Sequence, residues 1–201
     1  MKRYDCLQVL AKHVKDEDLV VNSLGGLVDE WYNLRPYGSL TLEILGSITP
    51  VAFGLAVALP HRRIVCIDTD GSLFINTGVM CTLGNQRPKN LVVYVLDNEC
   101  YECIGGPPTP SAGNVDITKM AQGAGIDSAV EVRNIDEFTV ATEEAFTNEG
   151  LSFIVCKIKP GTVTFPPEKR MPTDGFEDMY NFVRYIEKLE GVVIKPPAEH
   201  N

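Results

Sequence analysis

Short apolar runs rich in valine and isoleucine recur along the chain, and stretches with a helical pattern separate them. The runs lie at residues 19–22, 63–67, 91–96, 129–132 and 153–158. Most of them are apolar almost throughout and do not alternate with polar residues, which is typical of strands covered on both faces. The pattern therefore predicts five strands of a mostly parallel sheet.

Helical patterning fills the intervals between these runs. The predicted helices span residues 50–58, 73–83, 117–123, 135–148 and 176–190. Asp116 and Asp136 lie at the start of two of them, where an aspartate can accept hydrogen bonds from free backbone N–H groups. Strands that alternate with helices predict a three-layer α/β/α fold, doubly wound around the sheet.

The chain has 201 residues, a length that suits one domain. We therefore expect residues 1–201 to form a single domain, with a frayed tail after about residue 191. Hydrophobic residues make up 44% and charged residues 22%, as in ordinary globular proteins. The formal net charge of −9 disfavours a nucleic-acid partner, because phosphates repel an acidic surface.

The sequence predicts neither a membrane span nor a secretion signal. No apolar run approaches the roughly 18–20 residues that cross a bilayer. The N-terminal segment contains basic residues, but no apolar signal core follows them. We expect a cytoplasmic protein that has no membrane partner.

Of the six cysteines, only Cys100 and Cys103 lie close together. A C-x-x-C spacing can form a redox pair or half of a metal site. No second pair accompanies it and no histidine lies nearby, so we expect neither a zinc or iron–sulfur site nor a redox role. Disulfides are not expected in a reducing compartment.

Polar residues that suit a metal and a phosphate follow two of the predicted strands. Asp70, Gly71 and Ser72 come shortly after the run at residues 63–67, and Asn98 follows the run at residues 91–96. Carboxylate and amide oxygens suit Mg²⁺, which takes further oxygens from phosphate and water. The glycine permits close approach of a phosphate, and Ser72 lies near a helix start that favours anions.

The segment from Asp70 to Asn98 resembles the Gly-Asp-Gly and Asn-Asn signature of thiamine-diphosphate enzymes, in spacing and in its strand–turn–helix–strand context. Thr69 replaces the first glycine of that signature, and Asp97 replaces its first asparagine. The resemblance implies that Asp70, Asn98 and the backbone carbonyl of Cys100 hold Mg²⁺, which in turn holds the diphosphate of thiamine diphosphate.

Two upstream segments extend this resemblance. Gly46, Ser47 and Ile48 resemble the Gly-Ser-apolar motif that contacts the aminopyrimidine, and they imply that Ile48 props the cofactor in its bent shape. Gly25 and Gly26 lie where the family has a glycine turn close to the diphosphate.

Within the family, residues 90–98, Tyr101 and residues 105–109 resemble the 2-oxo acid decarboxylases that act on sulfopyruvate and phosphonopyruvate. The resemblance adds Tyr101 to the cofactor-binding residues. Glu102 lies past the metal ligands and is a candidate catalytic residue facing a small 2-oxo acid.

The family's activating glutamate belongs to a second, pyrimidine-binding domain. We therefore expect a partner α subunit in an α2β2-type assembly, unless the sequence is a fragment. The alternatives are a subunit of another thiamine enzyme, such as an acetolactate synthase or a 2-oxoacid oxidoreductase, a non-catalytic phosphate-binding module, and a regulatory subunit. Neither a G-x-G-x-x-G turn nor a P-loop lysine motif is present to favour a nucleotide.

Overall fold

Six parallel strands form the central sheet of the structure, a computed structural model that describes residues 1–172 and 174–194. The strands are β1 (Leu19–Ser23), β2 (Ser39–Leu42), β3 (Ile64–Thr69), β4 (Leu91–Asp97), β5 (Ala129–Val132) and β6 (Ser152–Lys157). They follow the order β2-β1-β3-β4-β6-β5 across the sheet, and every pairing is parallel. The predicted α/β fold with five of these strands is confirmed.

Eight α-helices accompany the strands within the described residues. They are α1 (Arg3–His13), α2 (Leu27–Leu34), α3 (Ile48–Ala58), α4 (Asp70–Ile75), α5 (Gly78–Gln86), α6 (Ile117–Gly123), α7 (Ile135–Thr147) and α8 (Gly175–Glu190). The predictions for α6, α7 and α8 are confirmed to within one residue at each end. The predicted cap also holds, because the Asp116 carboxylate accepts a hydrogen bond from the Lys119 N–H at 2.9 Å.

None of the helices within residues 1–172 and 174–194 has the length and apolar character needed to cross a membrane. The predicted frayed tail after residue 191 falls largely on residues 195–201, which lie outside the described residues. Gly191 ends α8 in the left-handed conformation, with φ of 66°, which glycine adopts readily.

The hydrophobic pattern missed β2, α1 and α2. β2 has four residues, of which only Leu40 is buried, so it lacks the continuous apolar run of the other strands. In α1 a buried arginine, Arg3, shares the inward face with Cys6, Leu7 and Leu10, which interrupts the apolar stripe. Tertiary contacts therefore decide these elements more than local pattern does.

The helix predicted at residues 73–83 is two helices, α4 and α5. Asn76 separates them with φ of −137° and ψ of 62°, which is outside the helical region. Its side-chain amide donates a hydrogen bond to the carbonyl of Gly46 at 3.1 Å. Because α4 begins at Asp70, that residue lies in the first turn of a helix rather than in a turn before it.

The sheet is buried on both faces, as its apolar strands predict. On one face, Val65 and Ile67 of β3 pack with residues of α1, α2 and α7. On the other face, Ile64 and Cys66 pack with residues of α3, α5, α6 and α8. Burial of apolar surface between the layers is the main stabilising contribution to such a fold.

The strand order contains a switch point between β1 and β3. From β1 the chain crosses outward to β2, and it then returns to place β3 on the opposite side of β1. Ligands of open α/β sheets bind beyond the carboxyl ends of the strands at such points. The segments that follow β1 and β3 therefore flank the expected binding position.

Candidate functional site

A cavity of about 360 Å³ opens at the carboxyl ends of β1, β3 and β4, beside the switch point. The segments after these strands supply most of its lining, and the start of α1 and the segment after β6 complete it. Nine predicted site residues line it: Gly25, Gly26, Asp70, Gly71, Ser72, Asn98, Cys100, Tyr101 and Glu102. The fold thus brings three separate motifs to one cavity.

Asp70 is buried at the start of α4, with 1% of its surface exposed. Its Oδ2 accepts a hydrogen bond from the Thr109 hydroxyl at 2.7 Å, and the Ser111 hydroxyl oxygen lies 3.4 Å from the same atom. Burial raises the pKa of Asp70 to about 6, and the Asp97 carboxylate adds to this rise against the hydrogen bond from Thr109. A bound cation would stabilise the ionised carboxylate in these surroundings.

Asn98 follows β4 directly and is 8% exposed. Its Oδ1 accepts a hydrogen bond from the Cys100 N–H at 3.2 Å. The Cys100 carbonyl oxygen accepts no hydrogen bond among the described residues, so it is available to a ligand. Together with the Asp70 carboxylate, these groups offer the oxygen ligands that Mg²⁺ prefers.

The buried Asp97 is compensated by a neighbouring strand. Its Oδ2 lies 2.7 Å from the Nζ of Lys157, which occupies the paired position on β6. Its Oδ1 accepts a hydrogen bond from the Ser111 hydroxyl at 2.7 Å, and that hydroxyl lies 2.9 Å from the Thr109 hydroxyl. Two hydroxyl groups therefore link Asp97 to Asp70.

The glycines of the site allow close approach of other groups. Gly25 has φ of +90°, a left-handed conformation that side chains disfavour. A Cβ on Gly26 would lie 2.1 Å from the Thr162 Oγ1 and 2.4 Å from the Arg3 Nη2. A Cβ on Gly71 would lie 2.8 Å from the ring of Tyr101. The Tyr101 ring thus packs closely on Gly71, and the role of Gly71 in the approach of a phosphate stays a prediction.

The polar groups of the cavity fit a magnesium-bound diphosphate. Ser23 at the end of β1 is fully buried and lines the cavity, and its hydroxyl has no hydrogen-bond partner among the described residues. A buried hydroxyl without a partner is costly, so an oxygen-rich ligand would stabilise it. The Ser72 N–H donates only a long hydrogen bond of 3.3 Å, to the Thr69 hydroxyl. Donors for phosphate therefore lie beside the oxygen ligands for a metal.

Gly46, Ser47 and Ile48 do not line the cavity, and this differs from the expectation. The family resemblance implied that this segment contacts the aminopyrimidine and that Ile48 props the cofactor. Instead α3 begins at Ile48, whose side chain is fully buried in the hydrophobic core. The Gly46 N–H donates to the Ser72 hydroxyl at 3.0 Å, which fixes this segment against α4. The cofactor role of the three residues stays a prediction.

Sequence reasoning missed several residues of the cavity and its surroundings. Arg3 and Thr162 line the cavity although they are 159 positions apart, and the Arg3 Nη2 donates to the Thr162 hydroxyl at 2.7 Å. Thr109 lies within residues 105–109, which the sequence analysis used only for the family resemblance, and Ser111 follows them. Lys157 lies at the end of an apolar run. Apart from Thr109, none of these residues belongs to a motif, so local pattern could not indicate them.

All six cysteines are free thiols in the structure. Burial raises the pKa of Cys100, with smaller contributions from the Glu102 and Asp70 charges, so its thiol is not activated. Within the described residues, no group of three or more His, Cys, Asp and Glu side chains is arranged to hold a metal. The absence of a redox role for Cys100 and Cys103 stays a prediction.

A second cavity of about 470 Å³ lies between α2, β2 and α8, on the outer side of β1. Its lining includes Trp31, Ser39, Asp178 and Tyr185, and none of the predicted site residues. Its position beside an edge strand, rather than at the ends of the central strands, separates it from the candidate site.

A parallel α/β sheet with oxygen ligands and a glycine turn at its switch point defines a class of protein, the domains that bind thiamine diphosphate through a metal ion. Residues 29–156 match the family model described as thiamine pyrophosphate enzyme, C-terminal TPP binding domain. The chain belongs to this family, and the predicted resemblance is confirmed.

The chain is similar over most of its length to particular members. It is 28% identical over 190 residues to the sulfopyruvate decarboxylase subunit beta of Methanococcus maripaludis, covering 94% of this chain and 99% of the relative. It is 29% identical over 163 residues to the phosphonopyruvate decarboxylase of Streptomyces viridochromogenes, covering 80% of this chain and 41% of that protein. A crystal structure of benzoylformate decarboxylase from Polynucleobacter necessarius superposes with a TM-score of 0.71 at 23% identity, covering 82% and 34% of the two chains, which shows the shared fold.

Proposed function

We propose that this chain is the diphosphate-binding subunit of a decarboxylase that uses thiamine diphosphate and Mg²⁺ and acts on sulfopyruvate or phosphonopyruvate. The observation that carries the proposal is the meeting of Asp70, Asn98 and the Cys100 carbonyl at one cavity, beside the glycine turn after β1. The names of the relatives support the reaction and the two substrates.

In this proposal the chain's own groups hold the charged end of the cofactor. Asp70, Asn98 and the Cys100 carbonyl bind Mg²⁺, while the Ser23 hydroxyl, the Ser72 N–H and the turn at residues 25–26 surround the diphosphate. Thiamine diphosphate, when bound, supplies the carbon nucleophile that adds to the 2-oxo group and takes up the electron pair released with carbon dioxide.

The remaining predicted residues would act around this anchor. Tyr101 packs on Gly71 and helps to shape the wall beside the metal ligands. The Gly46 carbonyl, which already accepts a hydrogen bond from the Asn76 amide at 3.1 Å, would accept a second one from the pyrimidine, and Ile48 supports that segment from inside the core. The side chain of Glu102 is 32% exposed, at the position where substrate would enter.

The rim of the cavity suits a permanent partner. Ile104 lines the cavity and is 72% exposed, and two further isoleucines near Gly46 are exposed, Ile44 at 69% and Ile75 at 59%. Obligate interfaces are more apolar than ordinary surface, and these side chains would be buried in one. The partner would be a pyrimidine-binding α subunit that supplies the activating glutamate, in an α2β2 assembly under two-fold symmetry. The relatives named as subunit beta support this arrangement.

The test is to express the chain alone and together with a candidate α subunit, and to measure carbon dioxide release from sulfopyruvate, phosphonopyruvate and pyruvate. We expect release only from the mixture, only with Mg²⁺ and thiamine diphosphate, and no release when Asp70→Ala replaces the wild-type chain. Full turnover by the lone chain would contradict the requirement for a partner. If the mixture condensed two pyruvate molecules and did not prefer sulfopyruvate or phosphonopyruvate over pyruvate, the result would instead indicate an acetolactate-forming enzyme.

A further inference from the structure

Arg3 is the only cation among the described residues that line the cofactor cavity. Its side chain is 7% exposed, although it begins the first helix of the chain. Arginine is rarely buried unless its charge has a partner. The surroundings of its guanidinium group therefore show what this charge does.

Three of the five guanidinium N–H groups of Arg3 are used within the protein. The Nε donates to the Glu30 Oε2 at 2.7 Å, and the Nη2 donates to the Glu30 Oε1 at 3.3 Å and to the Thr162 hydroxyl at 2.7 Å. The Nη1 makes no hydrogen bond among the described residues, and its nearest carboxylate is Glu102 at 3.5 Å. Glu30 and Thr162 thus fix the group and leave one nitrogen, with two donors, toward Glu102 on the cavity wall.

The Glu102 carboxylate occupies the place opposite this nitrogen. Its Oε2 accepts a hydrogen bond from the side-chain amide of Asn98 at 3.0 Å and lies 3.5 Å from the Arg3 Nη1. Its Oε1 accepts a hydrogen bond from the Gly161 N–H at 3.0 Å. Nitrogen groups from three separate segments thus surround one carboxylate. A phosphate group also carries negative charge on neighbouring oxygens, so the same three groups could bind it.

We propose that Arg3 binds a terminal oxygen of the cofactor's diphosphate, and that Glu102 holds this position until the diphosphate displaces it. The inference rests on the proposed function, because the anion is the one bound by Mg²⁺ in the same cavity. Arg3 is then a cofactor-binding residue, and Glu102 competes with the diphosphate for Arg3 in addition to any catalytic role.

Charge balance favours this assignment. A diphosphate ester keeps net negative charge after one Mg²⁺ binds, and the cavity adds the carboxylates of Asp70 and Glu102. Without a cation on its wall, the site would repel its own ligand. Arg3 is that cation; the buried Glu30 pairs with its Nε and Nη2 and offsets part of its charge, and the two donors of Nη1 remain for the diphosphate.

The experiment measures binding of inorganic diphosphate and of thiamine diphosphate, each with Mg²⁺, by titration calorimetry, to the chain alone and together with the candidate α subunit. Arg3→Lys keeps a charge for the buried Glu30 but leaves no second nitrogen for the ligand. Glu102→Gln removes the competing charge. The matched controls are Arg62→Lys, in the ion pair with Glu190, and Glu131→Gln, in the ion pair with Arg133, because neither pair lines the cavity. Thermal unfolding of each variant without ligand reports whether it is folded.

We expect Arg3→Lys to raise the dissociation constant for both diphosphates about tenfold, the typical effect of one charge-assisted hydrogen bond. We expect Glu102→Gln to lower it at least severalfold, and both controls to leave it unchanged. Wild-type affinity in a folded Arg3→Lys chain, or unchanged or weaker binding by Glu102→Gln, would overturn the inference. Failure of the wild-type chain to bind either diphosphate, both alone and together with the α subunit, would instead contradict the proposed function.

If Arg3 contacts the anionic group of the substrate instead, the diphosphate affinities of Arg3→Lys will equal those of the wild type, and only the substrate KM of the assembled enzyme will rise. That outcome also overturns the assignment. A purely structural role of Arg3 would lower the unfolding temperature of Arg3→Lys without changing the dissociation constant of the folded protein.

Discussion

Two cavities can be compared, one at the carboxyl ends of β1, β3 and β4 and one between α2, β2 and α8. Their lining residues distinguish them more clearly than their volumes do. The first holds about 360 Å³ and contains a buried carboxylate, a buried hydroxyl without a partner and a glycine turn. The second holds about 470 Å³ and is lined mainly by side chains of two helices and an edge strand. Position at the switch point therefore identifies the candidate site, whereas volume does not.

The larger cavity uses most of its polar groups to join elements of the fold. The Trp31 indole donates to the Ser39 hydroxyl at 2.9 Å, and the Asp178 carboxylate accepts a hydrogen bond from the Thr41 N–H at 2.7 Å. These contacts fasten α2 and α8 to the edge strand β2.

Among the described residues, polar atoms without a hydrogen-bond partner occur in both cavities: the Ser23 hydroxyl and the Cys100 carbonyl in the smaller one, and the Asn22 Oδ1 and the Arg35 Nε in the larger one. The smaller cavity differs because its oxygens without partners lie beside the Asp70 carboxylate and the Asn98 amide.

The comparison predicts its largest effect at Asp70. We expect Asp70→Asn to weaken binding of thiamine diphosphate with Mg²⁺ by at least about a hundredfold, because the metal loses its charged ligand. Calorimetric titration of the folded variant measures this. Wild-type affinity in Asp70→Asn would mean that the smaller cavity is not a metal site, and the comparison would fail.

The same variant has a second expected effect, on stability. Burial raises the folded-state pKa of Asp70 to about 6 from the ordinary value of 3.8, so its contribution to stability is full below about pH 3.8 and is lost as the pH rises through about 6. Without metal, Asp70→Asn should therefore unfold at a higher temperature than the wild type at pH 8, and this advantage should disappear at pH 4. A lower unfolding temperature at pH 8 would contradict the assigned cause of the shift.

The next effect in size concerns Ile48, which the motif placed beside the cofactor and the structure places in the core. We expect Ile48→Ala to reduce the free energy of unfolding without cofactor by about 2–5 kcal/mol, as for other buried isoleucines. Denaturant unfolding measures it, with Ile44→Ala as the control, because Ile44 is 69% exposed. If Ile48→Ala lost less than about 1 kcal/mol of the free energy of unfolding and bound the cofactor more weakly, Ile48 would contact the cofactor instead of belonging to the core.

A smaller effect is expected at Ser111, whose hydroxyl bonds to Asp97 and also contacts Asp70. Ser111→Ala should weaken Mg²⁺-dependent binding of thiamine diphosphate by about tenfold, as is common for residues that orient a metal ligand. The matched control in the larger cavity is Ser39→Ala, which should lower stability by about 1 kcal/mol and leave that affinity unchanged. Equal affinities for the two variants would remove the distinction between the cavities.

The smallest effect is expected at the cysteine pair. Replacing Cys100 and Cys103 together by serine should change the affinity for thiamine diphosphate by less than about twofold, because a backbone carbonyl ligand does not depend on the thiol. Calorimetry measures this, and metal analysis of the purified wild-type chain tests the same point independently. Stoichiometric zinc or iron bound through the pair would show that the cavity holds a different metal centre.

How much of the site the sequence could predict depends on whether a residue lies in a local motif. Asp70 and Asn98 follow apolar runs at a recognisable spacing, so their approach follows from the parallel sheet alone. Ile48 also belongs to a motif. A motif gives a position along the chain, but it does not say whether the side chain at the start of helix α3 faces the cavity or the core. Local pattern does not indicate the roles of Arg3 and Lys157, because the carboxylates that they bind lie on other elements of the fold.

The sequence by itself determined the α/β class, five of the six strands and the family, since these depend on apolar runs and on spacings between neighbouring residues. Only the tertiary structure decided that the 73–83 helix breaks at Asn76, that Ile48 lies in the core, and that Arg3 reaches the cavity. Apolar periodicity is a local property that burial imposes on each element separately. Contacts between distant residues are set by the order of the strands and by how the helices pack on them, which no single segment encodes.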